Sequence, residues 1–242
     1  MSLLFEAMTH IGNKRKSNED RYFVREQADG SLLMAVADGV GGMPGGEKAA
    51  ELAMSAVAAA DFGESVTQAR LLQLVMNAHA SIVRYSDAHP RLEGMGTTLT
   101  AAVVRENAVS WVHVGDSRLY IQHSGTLRQL TTDHRFLSSM VEDGDITAEE
   151  ALNHPLRNML DQCLGCSSIE PEQGSAALEP GDRLLLCTDG LYGEVPLESV
   201  ESILSADIAA NQKATQLLAA ALNAGGTDNV TFIVVAPDMR QA

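Results

Sequence analysis

Three apolar runs of this chain end in an aspartate beside a glycine, and a fourth aspartate opens the last such run. The acids are Asp38, Asp116, Asp189 and Asp228. Short apolar runs of this kind predict buried strands. Because an unpaired buried carboxylate costs several kcal/mol or shifts its pKa, four of them at strand tips need one common explanation. Only Asp116 has a basic residue close by in sequence, Arg118.

The simplest common explanation is a site where several aspartates at one end of a sheet hold one or two hard divalent cations. The net charge of -15, from 17 basic and 32 acidic residues, suits cation capture. It also argues against a surface for nucleic acid or anionic membrane. No apolar stretch approaches the ~20 residues of a membrane span, and no signal-peptide pattern is present. The sequence therefore predicts a cytoplasmic protein without a membrane partner.

The chain has no repeats and no Pro/Ser-rich linker, so its 242 residues predict one domain over 1–242. Strands are predicted at 3–11, 21–26, 32–38, 97–105, 108–114, 118–122, 127–130, 183–188 and 229–235. Helices are predicted at 47–60, 65–87, 197–205 and 208–223, with a glycine-rich loop at 39–46 and a mixed helical and loop-like segment at 134–162. Consecutive strands and paired helices predict an α+β fold, with sheets covered by helix layers.

The three cysteines are Cys163, Cys166 and Cys187, and the first two have CxxC spacing. A zinc site is not expected, because the chain lacks a second Cys/His pair. The spacing is interpreted as a reduced structural pair, as is usual in the cytosol.

Five short motifs follow one another along the chain. They are Gly12-Asn13-Lys14-Arg15-Lys16-Ser17-Asn18-Glu19-Asp20, Ala37-Asp38-Gly39-Val40-Gly41-Gly42, Gly115-Asp116-Ser117-Arg118, Thr188-Asp189-Gly190 and Thr227-Asp228-Asn229. In this order they resemble the PP2C (PPM) family of metal-dependent protein Ser/Thr phosphatases, in the form of its small stand-alone bacterial members. The resemblance implies a central sandwich of two mainly antiparallel β-sheets flanked by helix layers, the PP2C-like αββα arrangement.

The resemblance also implies a metal centre of two core Mn²⁺ or Mg²⁺ ions. Asp38 would bridge the two ions, and Gly39 would offer its backbone carbonyl to one of them. Asp189 and Asp228 would complete the shell of the other ion. Asp116, together with Asp189, resembles the pair that holds a third, weaker ion in the family. Alternatively, Arg118 is simply the local partner of Asp116.

Three further residues take catalytic roles by the same resemblance. Glu19 and Asp20 would orient waters at the ions, and Arg15 would clamp the substrate phosphate with its planar guanidinium. The nucleophile would be a metal-bridging water. In another interpretation the basic cluster around Arg15 is only a solvated turn, and Asn229 only holds a turn. His79 and His113 are interpreted as half-buried scaffold, not as metal ligands.

The chain departs from the family pattern at two places. Eukaryotic members carry a histidine, proposed as general acid, where this chain has Val40. Many bacterial relatives carry an arginine in the segment that is Asp161-Gln162-Cys163 here. The second departure overlaps the end of the 134–162 segment, which is predicted to form a mobile flap beside the site.

The sequence thus predicts a phosphatase that acts on phosphoserine and phosphothreonine of proteins. Its expected partners are phosphorylated proteins and a cognate Ser/Thr kinase or its substrates, with no nucleic acid. The alternative is a catalytically weak, phosphoprotein-binding regulatory module of the same fold. A two-metal phosphodiesterase or nuclease is opposed by the charge of -15.

Overall fold

The strands form two five-stranded sheets in which every neighbouring pair is antiparallel. The structure is a computed structural model, and it describes residues 3–42, 44–62 and 68–237. With strands numbered along the chain, the first sheet has the order β1 (Leu3–His10), β10 (Val230–Pro237), β9 (Arg183–Cys187), β6 (Arg118–His123) and β7 (Thr126–Gln129). The second has the order β2 (Arg21–Glu26), β3 (Leu32–Ala37), β4 (Leu99–Arg105), β5 (Ala108–Val114) and β8 (Glu172–Ala177).

Four helices cover the outer faces of the sheets, two on each. The described residues contain seven α-helices in all. They are α1 (Gly46–Ala59), α2 (Gln68–Ala88), α3 (Phe136–Glu142), α4 (Ala148–Asn153), α5 (Asp189–Tyr192), α6 (Leu197–Ser205) and α7 (Ala210–Ala224), with a 3₁₀ turn at Pro90–Leu92. Buried side chains of α1 and α2 pack on the second sheet, and those of α6 and α7 pack on the first. Within the described ranges, no helix is both long and apolar enough to span a bilayer.

The two-sided burial of the central strands explains their continuous apolar runs. In β3, Leu33 and Ala35 pack toward α1 and α2. Their neighbours Met34 and Val36 point the other way, into the layer between the two sheets. Side chains alternate faces along a strand, so a strand with helices on one side and a sheet on the other must be apolar at every position. The predicted α+β sandwich with helix layers is confirmed.

One strand is not predicted from the sequence. The edge strand β8 has the sequence EQGSAA, which contains no β-branched or large apolar residue, so propensity gives no signal for it. It forms because β5 offers a hydrogen-bonding edge, and the register places Gly174 opposite Trp111. The predicted helix at 65–87 is observed from Gln68, and its first residues, 65–67, lie outside the described part of the chain.

The two cysteines of the CxxC motif form a disulfide, so the prediction of a reduced pair is wrong. The Cα atoms of Cys163 and Cys166 are 5.4 Å apart, within the usual range for a bridge. A turn in which the Cys166 amide donates to the Cys163 carbonyl creates this proximity. The spacing alone does not reveal the turn. Cys187 is free and buried.

The packing of Trp111 on Gly174 yields a prediction about stability. A Cβ placed on Gly174 would overlap the Trp111 ring, which fills the inter-sheet layer. Gly174→Ala is therefore expected to lower the free energy of unfolding by about 1–3 kcal/mol, the usual cost of overpacking. Chemical denaturation measures the change. The control, Ser175→Ala at the exposed next position, is expected to stay within about 0.5 kcal/mol; equal effects of both would contradict the packing argument.

Candidate metal centre

The strand order brings four aspartates to one end of the sandwich. Because β3 and β5 both run antiparallel to β4, their carboxyl ends lie at the same edge, and these ends lead to Asp38 and Asp116. In the other sheet, β9 ends next to the start of β10, which places Asp189 near Asp228. All four residues line one cavity of about 690 Å³.

The structure brings seven of the eight predicted site residues to the wall of this cavity. They are Arg15, Glu19, Asp38, Gly39, Asp116, Asp189 and Asp228. The eighth, Asp20, lies behind the wall with 1 % of its surface exposed. Its carboxylate accepts a hydrogen bond from the Thr188 hydroxyl at 2.8 Å. Asp20 therefore lies beneath the residues of the cavity wall, where it contacts the residue that precedes Asp189.

Two threonines that directly precede β4 fix the backbone of Asp38. The Asp38 amide donates to the Thr98 hydroxyl at 2.9 Å, and the Asp38 carbonyl accepts from the Thr98 amide at 2.9 Å and the Thr97 hydroxyl at 2.8 Å. The adjoining Gly39 forms an isolated bridge with Thr97. A Cβ on Gly39 would collide with the backbone of Gly46, so this close approach of two chain segments requires glycine.

Asn229 ties the N-terminal loop to the same end of the sandwich. Its side-chain amide donates to the carbonyls of Ile11 and Ser17, both at 2.9 Å, and its oxygen accepts from the Glu19 amide at 2.8 Å. Asn229 thus does more than hold its own turn. It positions the loop that carries Arg15.

The proximity of these carboxylates opposes their ionisation. Burial, followed by the neighbouring carboxylates Asp20 and Asp189, raises the pKa of Asp38 well above its usual value. Burial also raises the pKa of Asp20 to about 6 and that of Asp189 to about 7. The pKa of Asp116 is raised by burial, although Arg135 opposes the shift. A cation at this end of the molecule would relieve the penalty.

The donor atoms fit hard divalent cations. Three buried carboxylate oxygens of the described residues have no hydrogen-bond partner, namely Asp20 Oδ1, Asp189 Oδ1 and Glu19 Oε2. Such orphaned acceptors are costly unless a positive group satisfies them. The set is entirely oxygen, which suits Mg²⁺ or Mn²⁺ better than softer metals.

Two arginines form ion pairs with aspartates of the cavity. One of them, Arg135, is not predicted from the sequence. Arg15 donates to Asp228 at 2.6 Å, across 213 positions of the chain. Arg135 donates to Asp116 at 2.9 Å. Arg118 instead binds both carboxylate oxygens of Asp133, at 2.8 and 2.7 Å, so the interpretation of Arg118 as the partner of Asp116 is wrong. Arg135 lies inside the predicted flap, where no local signal connects it with Asp116.

A second cluster of side chains that commonly bind metals lies next to the acidic cavity. His113 is fully buried, not half-buried as predicted, and burial lowers the pKa of its ring to about 3. With His134 and Glu172 it places three donor atoms within 4.8 Å of one another. All three already contact backbone: the Glu172 carboxylate accepts from the Thr132 amide, His113 Nε2 lies 3.1 Å from the Thr132 carbonyl, and His134 accepts from the Gly115 amide. The group therefore holds the loop that leads to Arg135.

Comparison with known proteins agrees with this geometry. The family model described as Protein phosphatase 2C matches residues 9–230. The chain is 35% identical to the serine/threonine phosphatase stp of Listeria monocytogenes, over 98% of the chain and 96% of the relative. It is 38% identical to the phosphatase PstP of Mycobacterium tuberculosis over 96% of the chain, but spans only 44% of that relative. The structure of the PstP catalytic domain in complex with two manganese ions superimposes with a TM-score of 0.83, at 36% identity and 97% coverage of each chain.

The crowding of carboxylates predicts a trade-off between stability and metal binding. Asp38→Asn replaces a buried carboxyl, whose ionisation is opposed by burial and by its neighbours, with a neutral amide. The metal-free protein is therefore expected to melt about 2–4 °C higher, equivalent to about 1 kcal/mol. The same change is expected to remove most of the stabilisation that Mn²⁺ gives the wild type. Thermal melts in EDTA and in Mn²⁺ measure both effects. Asp87→Asn, at the exposed end of α2, serves as the control; a lower metal-free melting temperature for Asp38→Asn would contradict the argument.

Proposed function

Because the chain belongs to the protein phosphatase 2C family and is a serine/threonine protein phosphatase, we propose that the acidic cavity is its active site. The observation that carries the proposal is the convergence of Asp38, Asp189 and Asp228 on one cavity that also contains Arg15. Carboxylates that hold divalent ions and a guanidinium that holds phosphate are the two parts that hydrolysis of a phosphate monoester needs.

The family is metal-dependent, and the proposed ions are two Mn²⁺ or Mg²⁺. Asp38, with a carboxylate of two oxygens, is proposed to contact both ions, supported by the carbonyl of Gly39. Asp189 and Asp228 are proposed as further ligands, with Glu19 and Asp20 orienting water. When bound, such ions supply Lewis acidity and lower the pKa of a coordinated water toward neutrality. The orphaned oxygens of Asp20, Asp189 and Glu19 support this assignment.

Arg15 is proposed to bind the phosphate of the substrate. Its guanidinium is half-exposed at the mouth of the cavity, with 47% of the side chain accessible, and it already contacts the carboxylate of Asp228. Gly41 lies beside the guanidinium without a side chain to block an entering group. A planar guanidinium can bind two phosphate oxygens at once, which orients the ester for attack. Val40 has no titratable group, so it supplies no proton to the leaving group.

The broader setting of the enzyme is also proposed. The proposed substrates are phosphoserine and phosphothreonine proteins, which the names of the relatives as serine/threonine phosphatases support. An enzyme with these substrates would oppose a Ser/Thr kinase. We place the enzyme in the cytoplasm, where ATP supplies kinases, although the Cys163–Cys166 disulfide is unusual there. Residues 1–242 would form one domain, with 134–162 as a flap. Met159 and Leu160, near the end of this segment, line the cavity.

A metal-titrated assay on matched phosphopeptides tests the proposed function. Phosphate release is expected from phosphoserine and phosphothreonine peptides in Mn²⁺, with loss in EDTA and in Asp38→Asn, and with much slower release from phosphotyrosine. Binding of the peptides without release would instead favour the regulatory-module alternative. Undiminished turnover by Asp38→Asn at saturating Mn²⁺ would contradict the assignment of the metal centre.

Because Arg15 lies at the mouth of the cavity, its loss is expected to weaken substrate binding more than it slows the chemical step. Arg15→Ala is expected to raise KM for p-nitrophenyl phosphate about tenfold, the value of one charge-assisted contact at a half-exposed site. Its kcat is expected to change only a few fold, because the contact exists in both the ground and the transition state. Steady-state kinetics measures both constants. Lys16→Ala, at an exposed neighbouring cation, is the control; an unchanged KM with a collapsed kcat would make Arg15 a transition-state residue.

A further inference from the structure

The carboxylate of Asp116 has a close cationic partner. Asp116 lines the cavity, and its side chain is only 8% exposed. Oδ2 accepts two hydrogen bonds from one guanidinium, from Arg135 Nε at 3.1 Å and from Arg135 Nη2 at 2.9 Å. Charge-assisted bonds of this kind are the strong ones, especially when water has little access.

Tyr192 completes the enclosure of this guanidinium. Arg135 Nη2 also donates to the Tyr192 hydroxyl at 2.9 Å, and that hydroxyl donates to the Asp116 carbonyl at 2.8 Å. The other nearby carboxylate, Asp133, accepts hydrogen bonds from Arg118 at both oxygens, and its Oδ2 lies farther from Arg135, 3.7 Å from Nε. The charge of Arg135 is thus matched mainly by Asp116.

The backbone of Arg135 is held as firmly as its side chain. Arg135 forms an isolated bridge with Leu160, and the next amide, that of Phe136, donates to the Met159 carbonyl at 2.9 Å. These contacts join the two ends of the 134–162 segment. These contacts fix the backbone position from which the guanidinium reaches Asp116.

We propose that Arg135 is a built-in cation that occupies Asp116, so that the cavity binds two divalent ions and excludes a third. A divalent ion on Asp116 would have to displace a partly buried guanidinium or bind a few ångströms from its positive charge. Arg135 is a positioning residue in this account. The inference rests on the proposed metal centre, and it replaces the third-ion role that the family resemblance implies for Asp116.

Counting bound Mn²⁺ tests the inference without using activity. Isothermal titration calorimetry, with electron paramagnetic resonance of free Mn²⁺ as a second measure, is expected to give about two ions per wild-type chain. Arg135→Met keeps the length of the side chain and removes its charge, and it is expected to gain a weaker third site. The double variant with Asp116→Asn is expected to lose that site again. Arg135→Lys restores a cation and is expected to return the count to the wild-type value.

Arg128→Met provides the matched control, because Arg128 is exposed on β7 away from the cavity, and its count is expected to equal that of the wild type. A second test needs no change at Arg135. Asp116→Asn in the wild-type background is expected to leave the number of bound Mn²⁺ ions unchanged. This variant shows whether Asp116 holds an ion in the wild type, even if circular dichroism shows that Arg135→Met is unfolded.

Two results would overturn the inference alone: a wild type that binds a third ion lost in Asp116→Asn, or a folded Arg135→Met that binds only the wild-type number. A wild type that binds no Mn²⁺ would overturn the proposed metal centre, and the inference with it. The counts thus separate a failure of the inference from a failure of the proposed function.

Discussion

Electrostatic repulsion among buried carboxylates at one end of the sandwich is the constraint around which the rest of the molecule is arranged. Burial and mutual proximity raise the pKa of Asp20, Asp38 and Asp189. A fold that places acids this way is less stable than one with neutral residues there. The cost is tolerable because two five-stranded sheets and four covering helices bury a large apolar core on either side.

The antiparallel topology is what makes the convergence possible. In one sheet, the carboxyl ends of β3 and β5 share an edge because both strands pair with β4. In the other, the end of β9 meets the start of β10. Each sheet thus contributes two aspartates, and the inter-sheet packing brings the pairs face to face over one cavity. The N-terminal loop, fastened by Asn229, adds Arg15 and Glu19 from a third direction.

The sequence predicts those parts of the fold and site that leave a local signal. The apolar run of β3 and its Asp-Gly ending are visible because burial on two faces dictates every residue of the strand. By contrast, β8 has no signal of its own, since it exists only as the partner of β5. The pairing of Asp116 with Arg135 is equally hidden, because the loop held by His113 and Glu172 creates it. Contacts set by tertiary structure cannot be deduced from spacing alone, and neither can the local turn that closes the disulfide.

The balance of charge inside the cavity explains how so acidic a chain can bind an anionic substrate. Within the described ranges, Arg15 and Arg135 pair with Asp228 and Asp116. The four other carboxylates of the site have no ion pair with a basic residue; they are Glu19, Asp20, Asp38 and Asp189. Two divalent ions would carry as much positive charge as these four carboxylates carry negative charge when ionised. A phosphate ester of charge about -1.5 to -2 would then meet the ions and the Arg15 guanidinium instead of uncompensated carboxylates. The net charge of -15 is spread over the whole surface, and salt screens it beyond about 8 Å. The local field, not the net charge, therefore determines what this cavity attracts.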